Sequence, residues 1–88
     1  MIPNNITRQH ILQAIAHVDR YGVEPGREST RYDLVHEERI YPPKYVVSLA
    51  NRYANGEMLP APSFDGGMET NYFLMRRGFD VREKGGAR

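Results

Sequence analysis

Glycine and proline punctuate this chain so closely that every regular element in it must be short. Gly22, Pro25-Gly26, Pro42-Pro43, Gly56, Pro60, Pro62, Gly66-Gly67 and Gly78 divide the sequence from end to end. Proline locks φ and removes a backbone donor, while glycine favours the left-handed conformations that stop helices. With 88 residues in all, these pieces must share one thin core in one small domain. Hydrophobic residues make up 40% and charged residues 26%, which excludes collagen-like, coiled-coil and wholly disordered chains. Cysteine is absent, so disulfides, thiolate catalysis and cysteine-based zinc sites are excluded. No apolar run approaches the ~20 residues of a membrane span. The start, Met1-Ile2-Pro3-Asn4-Asn5, has neither the basic nor the apolar region of a signal peptide, so the cytoplasm is the expected location.

Between the breaks, periodicity names the elements. Ile11, Leu12, Ala14, Ile15, Val18 and Tyr21 recur at helical spacing after Thr7, a suitable N-cap, and predict a helix over about 7–21 that Gly22 ends. Residues 22–31 read as a polar connection. Tyr32, Leu34 and Val35, then Ile40 and Tyr41, predict two short strands around His36-Glu37-Glu38-Arg39. That turn has no Gly or Asn, so it does not advertise a type I′ hairpin. Pro42-Pro43 predict a corner and a second helix to Asn55, stopped by Gly56. Residues 57–67 read as a loop pinned by Phe64, 68–77 as a third helix, and Phe79-Asp80-Val81-Arg82 as a closing strand. The expected fold is α+β, order α-β-β-α-α-β, with three helices on a small antiparallel sheet. The domain should cover residues 1–83, with 84–88 a disordered tail. Ile11, Ile15, Val18, Val46, Leu49, Tyr53, Leu74 and Phe79 are the expected core.

The net charge of +1 says little about partners, but its distribution says more. Residues 19–38 carry six acids against three Arg, whereas residues 39–55 carry Arg39, Lys44 and Arg52 and no acid. Ten of the twelve basic residues are Arg, the side chain that grips phosphate bidentately. On the second helix Lys44, Ser48, Asn51, Arg52 and Asn55 share one face opposite Val46, Leu49 and Tyr53. Lys and Arg contact phosphates, and Asn, Ser and Arg also read base edges. With Arg39, Arg76 and Arg77 these residues make the candidate DNA-binding set. The competing reading is the polar face that any amphipathic helix needs.

Other features point away from chemistry. His10 and His17 lie two turns apart on the first helix without a partner cluster, and so predict no metal site. Glu37 and Glu38 are neighbours that cannot bracket one substrate bond. No serine-histidine-aspartate or paired-aspartate pattern exists, so neither catalysis nor a cofactor is expected. The Asp65-Gly66-Gly67 turn could bring backbone N–H groups to an anion, but it lacks the Lys and Ser/Thr of a nucleotide loop. Glu69 would also repel phosphate, so a turn and cap is the expectation there.

Tyr41-Pro42-Pro43-Lys44, Leu49-Ala50, Asn55-Gly56, Phe64-Asp65-Gly66-Gly67, Thr70-Asn71, Leu74 and Gly78-Phe79-Asp80-Val81 together resemble the ScoMcrA-like N-terminal head domain. That domain stands in front of modification-dependent restriction endonucleases of the HNH type. The resemblance covers nearly the whole chain. It implies a small domain serving a DNA-targeting defence system, without the cleavage or modified-base recognition of other modules. The turn before Tyr41 departs from the family, which commonly has an Asp-Gly-like pair there. The expected function is weak, salt-dependent contact with double-stranded DNA. The alternative is an adaptor or oligomerisation module that docks a nuclease or another defence protein, suggested by the near-neutral charge and six tyrosines.

Overall fold

The computed structural model describes residues 1–84. Helix α1 (Arg8–Tyr21) begins where a complete capping box forms. The Thr7 side chain accepts from the His10 N–H, and the His10 ring Nδ1 accepts from the Thr7 N–H at 3.0 Å. His10 is thus part of a helix cap, satisfying N–H groups that would otherwise lack partners. Helix α1 ends at Gly22, whose N–H donates to the Val18 carbonyl at 2.8 Å.

Strands β1 (Tyr32–His36) and β2 (Arg39–Tyr41) form a hairpin, and β3 (Asp80–Glu83) pairs with the other edge of β1. The sheet order is β2-β1-β3 and both pairings are antiparallel. Helix α2 (Pro43–Asn55), a single 3₁₀ turn (Ala61–Ser63) and α3 (Met68–Arg76) complete the expected α-β-β-α-α-β order. Lys84, the first residue of the expected tail 84–88, lies in a turn just past β3. The Lys84 N–H donates to the Arg31 carbonyl, and its ammonium lies 2.8 Å from Asp33. The rest of that tail lies outside the described residues.

The core is built where α1 crosses α2 and both meet the inner face of the sheet. Ile11, Ala14, Ile15 and Val18 of α1 pack with Val46, Val47, Leu49 and Ala50 of α2, Leu34 and Tyr41 of the hairpin, and Phe73, Leu74 and Phe79. Ile2 and Ile6, from the lead segment, are buried as well, and Phe64 anchors its loop. Tyr53 departs from expectation, being 40% exposed. It sits near the C-terminal end of α2, where its hydroxyl reaches His17 Nδ1 at 3.3 Å. Val47, on the other margin, takes the buried place. A Leu49→Ala change should cost about 2–5 kcal/mol, measured as a fall in thermal stability.

The hairpin tip is the main surprise. His36 pairs with Arg39 across a two-residue loop, and both loop residues have positive φ, 51° at Glu37 and 68° at Glu38. This is the geometry of a type I′ turn without the residues that favour it. The twist of the flanking strands dictates the turn, and local preference yields. A left-handed conformation costs an ordinary residue about 1–2 kcal/mol. The double change Glu37→Asn, Glu38→Gly should therefore stabilise the domain by about 1 kcal/mol, seen as a melting midpoint higher by about 4–8 °C. An unchanged or lower midpoint would show that the acidic pair makes compensating contacts.

Tyr41 closes the hairpin onto α1. Its hydroxyl donates to Asp19 Oδ1 at 2.7 Å, and Arg39 lies 3.4 Å from the same oxygen. Burial first, then the Asp19 bond, pushes the Tyr41 pKa up to about 12. A folded-state pKa above the unfolded value near 10 means that this contribution is intact below pH 10 and lost as pH rises toward 12. Replacing Tyr41 with Phe should flatten the fall of stability over that alkaline range.

Candidate nucleic-acid interface

The polar face of α2 does not lie open as one stripe. Ser48 is 0% exposed and Asn51 is 4% exposed. The chain leaving α2 at Gly56 turns back along this face, and its backbone needs partners away from water. The Ser48 hydroxyl donates to the Leu59 carbonyl, while the Leu59 N–H donates to the Ser48 carbonyl at 3.2 Å. Asn51 Nδ2 donates to the Glu57 carbonyl at 2.7 Å. Asn55 Nδ2 donates to Asn51 Oδ1 at 2.6 Å and to Asn5 at 3.1 Å. Asn55 also accepts from the Asn5 amide at 2.6 Å. Ser48 and Asn51 thus bind the returning backbone and do not face a groove.

The basic candidates scatter into different settings. The Arg77 guanidinium donates to the carbonyls of Ile6, Phe73 and Asn4 and stacks 3.6 Å from the Phe73 ring. Desolvation lowers its pKa, and its donors hold the lead segment to α3. Arg39 is exposed but pairs with Asp19. Arg76 is exposed beside Glu69 and the lead segment. Arg52 is exposed over a shallow cleft with His17, Tyr21, Tyr45 and Met58.

Lys44 finds a different neighbourhood. A cleft of ≈ 460 Å³ lies between the 22–31 loop, the start of α2 and the turn before α3. Two sequence segments twenty residues apart meet in it. The Lys44 side chain lies along Gly66, so close that a Cβ there would sit 3.1 Å from Lys44 Cδ. The Lys44 ammonium stands over the Phe64 ring at 5.0 Å. Pro42 and Pro43 set the corner that aims this lysine. Glu69 fixes the opposite wall by accepting from the Asp65 N–H at 2.9 Å and the Ile2 N–H at 3.2 Å. The Asp65 bond is the foremost reason that its carboxyl titrates below the ordinary value.

Two arginines from the polar connection complete the cleft. The Arg27 guanidinium lies over the Tyr45 ring at 5.3 Å, and Arg31 stands at the rim, 3.7 Å from Glu83. Neither belongs to the set read from the sequence, which treated 22–31 as a linker. The available signal was two arginines spaced around Ser29-Thr30 in a loop without regular structure. Two acids, Glu28 and Asp65, also line the cleft.

Ser48→Ala should destabilise the domain by about 1–3 kcal/mol, because it leaves the enclosed Leu59 carbonyl without its donor. Thermal melting checks this, and an undiminished midpoint would mean that the loop bonds elsewhere.

Residues 4–83 match the family model described as the ScoMcrA-like, N-terminal head domain. A solved structure of the type IV phosphorothioation-dependent restriction endonuclease ScoMcrA matches with a TM-score of 0.67 and 36% sequence identity. The match covers 91% of this chain and 13% of that one. No curated protein matches. The matched family is that of the head, not of a catalytic domain, and no described helix is long and apolar enough to cross a membrane. This α+β chain, with its Tyr-Pro-Pro-Lys corner folded against its Phe-Asp-Gly-Gly turn, belongs to the ScoMcrA-like N-terminal head domain family.

Proposed function

We propose that the domain is a non-catalytic DNA-positioning module of a restriction system. The observation that carries this reading is the convergence of Lys44, Arg27 and Arg31 on one cleft built from the family's two motifs. Arg52 extends the basic surface along α2. The chemistry is neutralisation of backbone phosphates, which carries no sequence information. Arg39 and Arg76 stand apart from this surface and serve at most as flanking contacts. With so few phosphate contacts, an isolated domain binds duplex DNA in the micromolar range or more weakly. Tight binding then comes from linkage to further modules, through raised effective concentration.

A second reading rests on α3. Met68, Tyr72 and Met75 recur at i, i+4 and i+7 and are all exposed. Such a face suits an adaptor that docks a nuclease or another defence protein. Duplex titration at two salt concentrations separates the readings. DNA positioning predicts affinity that falls steeply with salt. Lys44→Gln and Arg52→Gln should weaken all sequences alike and each reduce the salt slope by about one. Absence of binding at low salt would remove the DNA reading and leave the adaptor.

A further inference from the structure

Resting on the DNA-positioning reading and deepening it, we propose that the cleft at the start of α2 is a seat for one phosphate group, held directly by Arg27 and Lys44. Four observations converge on it. The first is an unfinished helix end. Pro43 is the first residue of α2 and has no N–H, Val46 N–H already donates to the Pro42 carbonyl, and no side chain caps the helix. The N–H groups of Lys44 and Tyr45 have no acceptor among the described residues, and the first turn holds no acid. A helix start of this kind attracts an anion.

The second observation points to a ligand independently of the helix. Arg27 Nη2 is shut off from solvent and has no hydrogen-bond acceptor among the described residues. A guanidinium has five N–H donors and no acceptor of its own, so an enclosed, unmatched nitrogen is a loss that an incoming acceptor repairs. The side chain holding it lines the cleft, stacked on Tyr45. Third, the Lys44 ammonium has no ion-pair partner among the described residues. Its stem is fixed against Gly66 and its head over Phe64.

Fourth, among the described residues neither acid of the cleft forms an ion pair with Arg27 or Lys44. Glu28 Oε1 accepts from the Gly26 N–H at 3.1 Å. The Asp65 carboxylate lies beside Gly67, just before α3, and makes no side-chain cap bond to that helix. Arg31 stays at the rim, paired loosely with Glu83. The positive charge of the cleft without an ion-pair partner among the described residues lies on Arg27 and Lys44, beside the start of α2. A phosphate group fits this set by charge and by its several acceptor oxygens. A DNA backbone and free phosphate offer the same chemistry, and the test distinguishes them.

The experiment follows backbone amide NMR shifts of the full chain during titration with inorganic phosphate, with chloride at matched ionic strength, and with an unmodified DNA duplex. The expected result is that phosphate, unlike chloride, moves the amides of Gly26, Arg27, Lys44 and Tyr45 in a saturable way, and that the duplex moves the same set. Arg27→Gln and Lys44→Gln should each weaken phosphate binding about fivefold or more. Apart from stacking on Tyr45, the Arg27 side chain makes no bond among the described residues, so Arg27→Gln should keep the wild-type melt. Phosphate shifts no larger than those of chloride, or wild-type affinity in Arg27→Gln, would overturn the seat. If the duplex shifts Arg52 while both ligands leave the cleft amides still, DNA positioning stands and the seat falls. If phosphate fills the cleft and the duplex moves no amide at low salt, the seat stands as a free-phosphate site and DNA positioning falls.

Discussion

Helix α2 is enclosed on almost every side, and the rest of the molecule is arranged to satisfy it. Every residue from Tyr45 to Asn51 is buried, so one turn after another must find partners on both its apolar and its polar face. The apolar side is met by α1 and by Leu34 of the sheet. The polar side is met by the returning chain, whose Glu57 and Leu59 carbonyls take the Asn51 and Ser48 donors. A domain of this size has little apolar surface to bury, and closing both faces of one helix is an economical way to build a core. In the first turn only Lys44 is not fully buried, and there the basic cleft lies, while the last turn is exposed at Arg52, Tyr53 and Asn55.

Much of this fold was legible because its signals are local. Thr7 and Gly22 bound α1, Pro42-Pro43 and Gly56 bound α2, and Gly78 precedes β3. The spacing of Ile11, Ile15 and Val18 gave the core face of α1. The misreadings share one cause, which is that tertiary contact overrode local pattern. Ser48 and Asn51 look like solvent-facing polar residues on a helical wheel, and no periodicity reveals that a later loop will cover them. Tyr53 follows the apolar spacing but lies where the cover of α1 thins out. Glu37 and Glu38 contradict turn chemistry because the register of β1 with β2 leaves only two residues for the turn. The Thr7–His10 capping box was half legible, since Thr7 was recognisable and the histidine in the glutamate position was not.

The candidate site was legible as two motifs and illegible as one place. Tyr41-Pro42-Pro43-Lys44 and Phe64-Asp65-Gly66-Gly67 stand apart in sequence, and the return of the chain along α2 brings them together. That juxtaposition gives Gly66 a purpose, since any side chain there would press on the lysine stem. It also draws in Arg27 and Arg31, which composition alone had assigned to an acidic stretch. Arg77 shows the reverse case, a basic residue at a promising position whose donors are consumed by carbonyls of the lead segment. Arg77 differs from Arg27 in that its donors already have acceptors among the described residues.

In the proposed function, the start of α2 is the end of the domain that meets DNA. Amide hydrogen exchange in the presence and absence of a duplex at low salt tests this most directly. The account predicts slowed exchange at Lys44 and Tyr45, the two N–H groups at the start of α2 that lack acceptors among the described residues, together with the 26–31 loop. Unchanged exchange at those amides, with protection instead around Met68, Tyr72 and Met75 of α3, would contradict it.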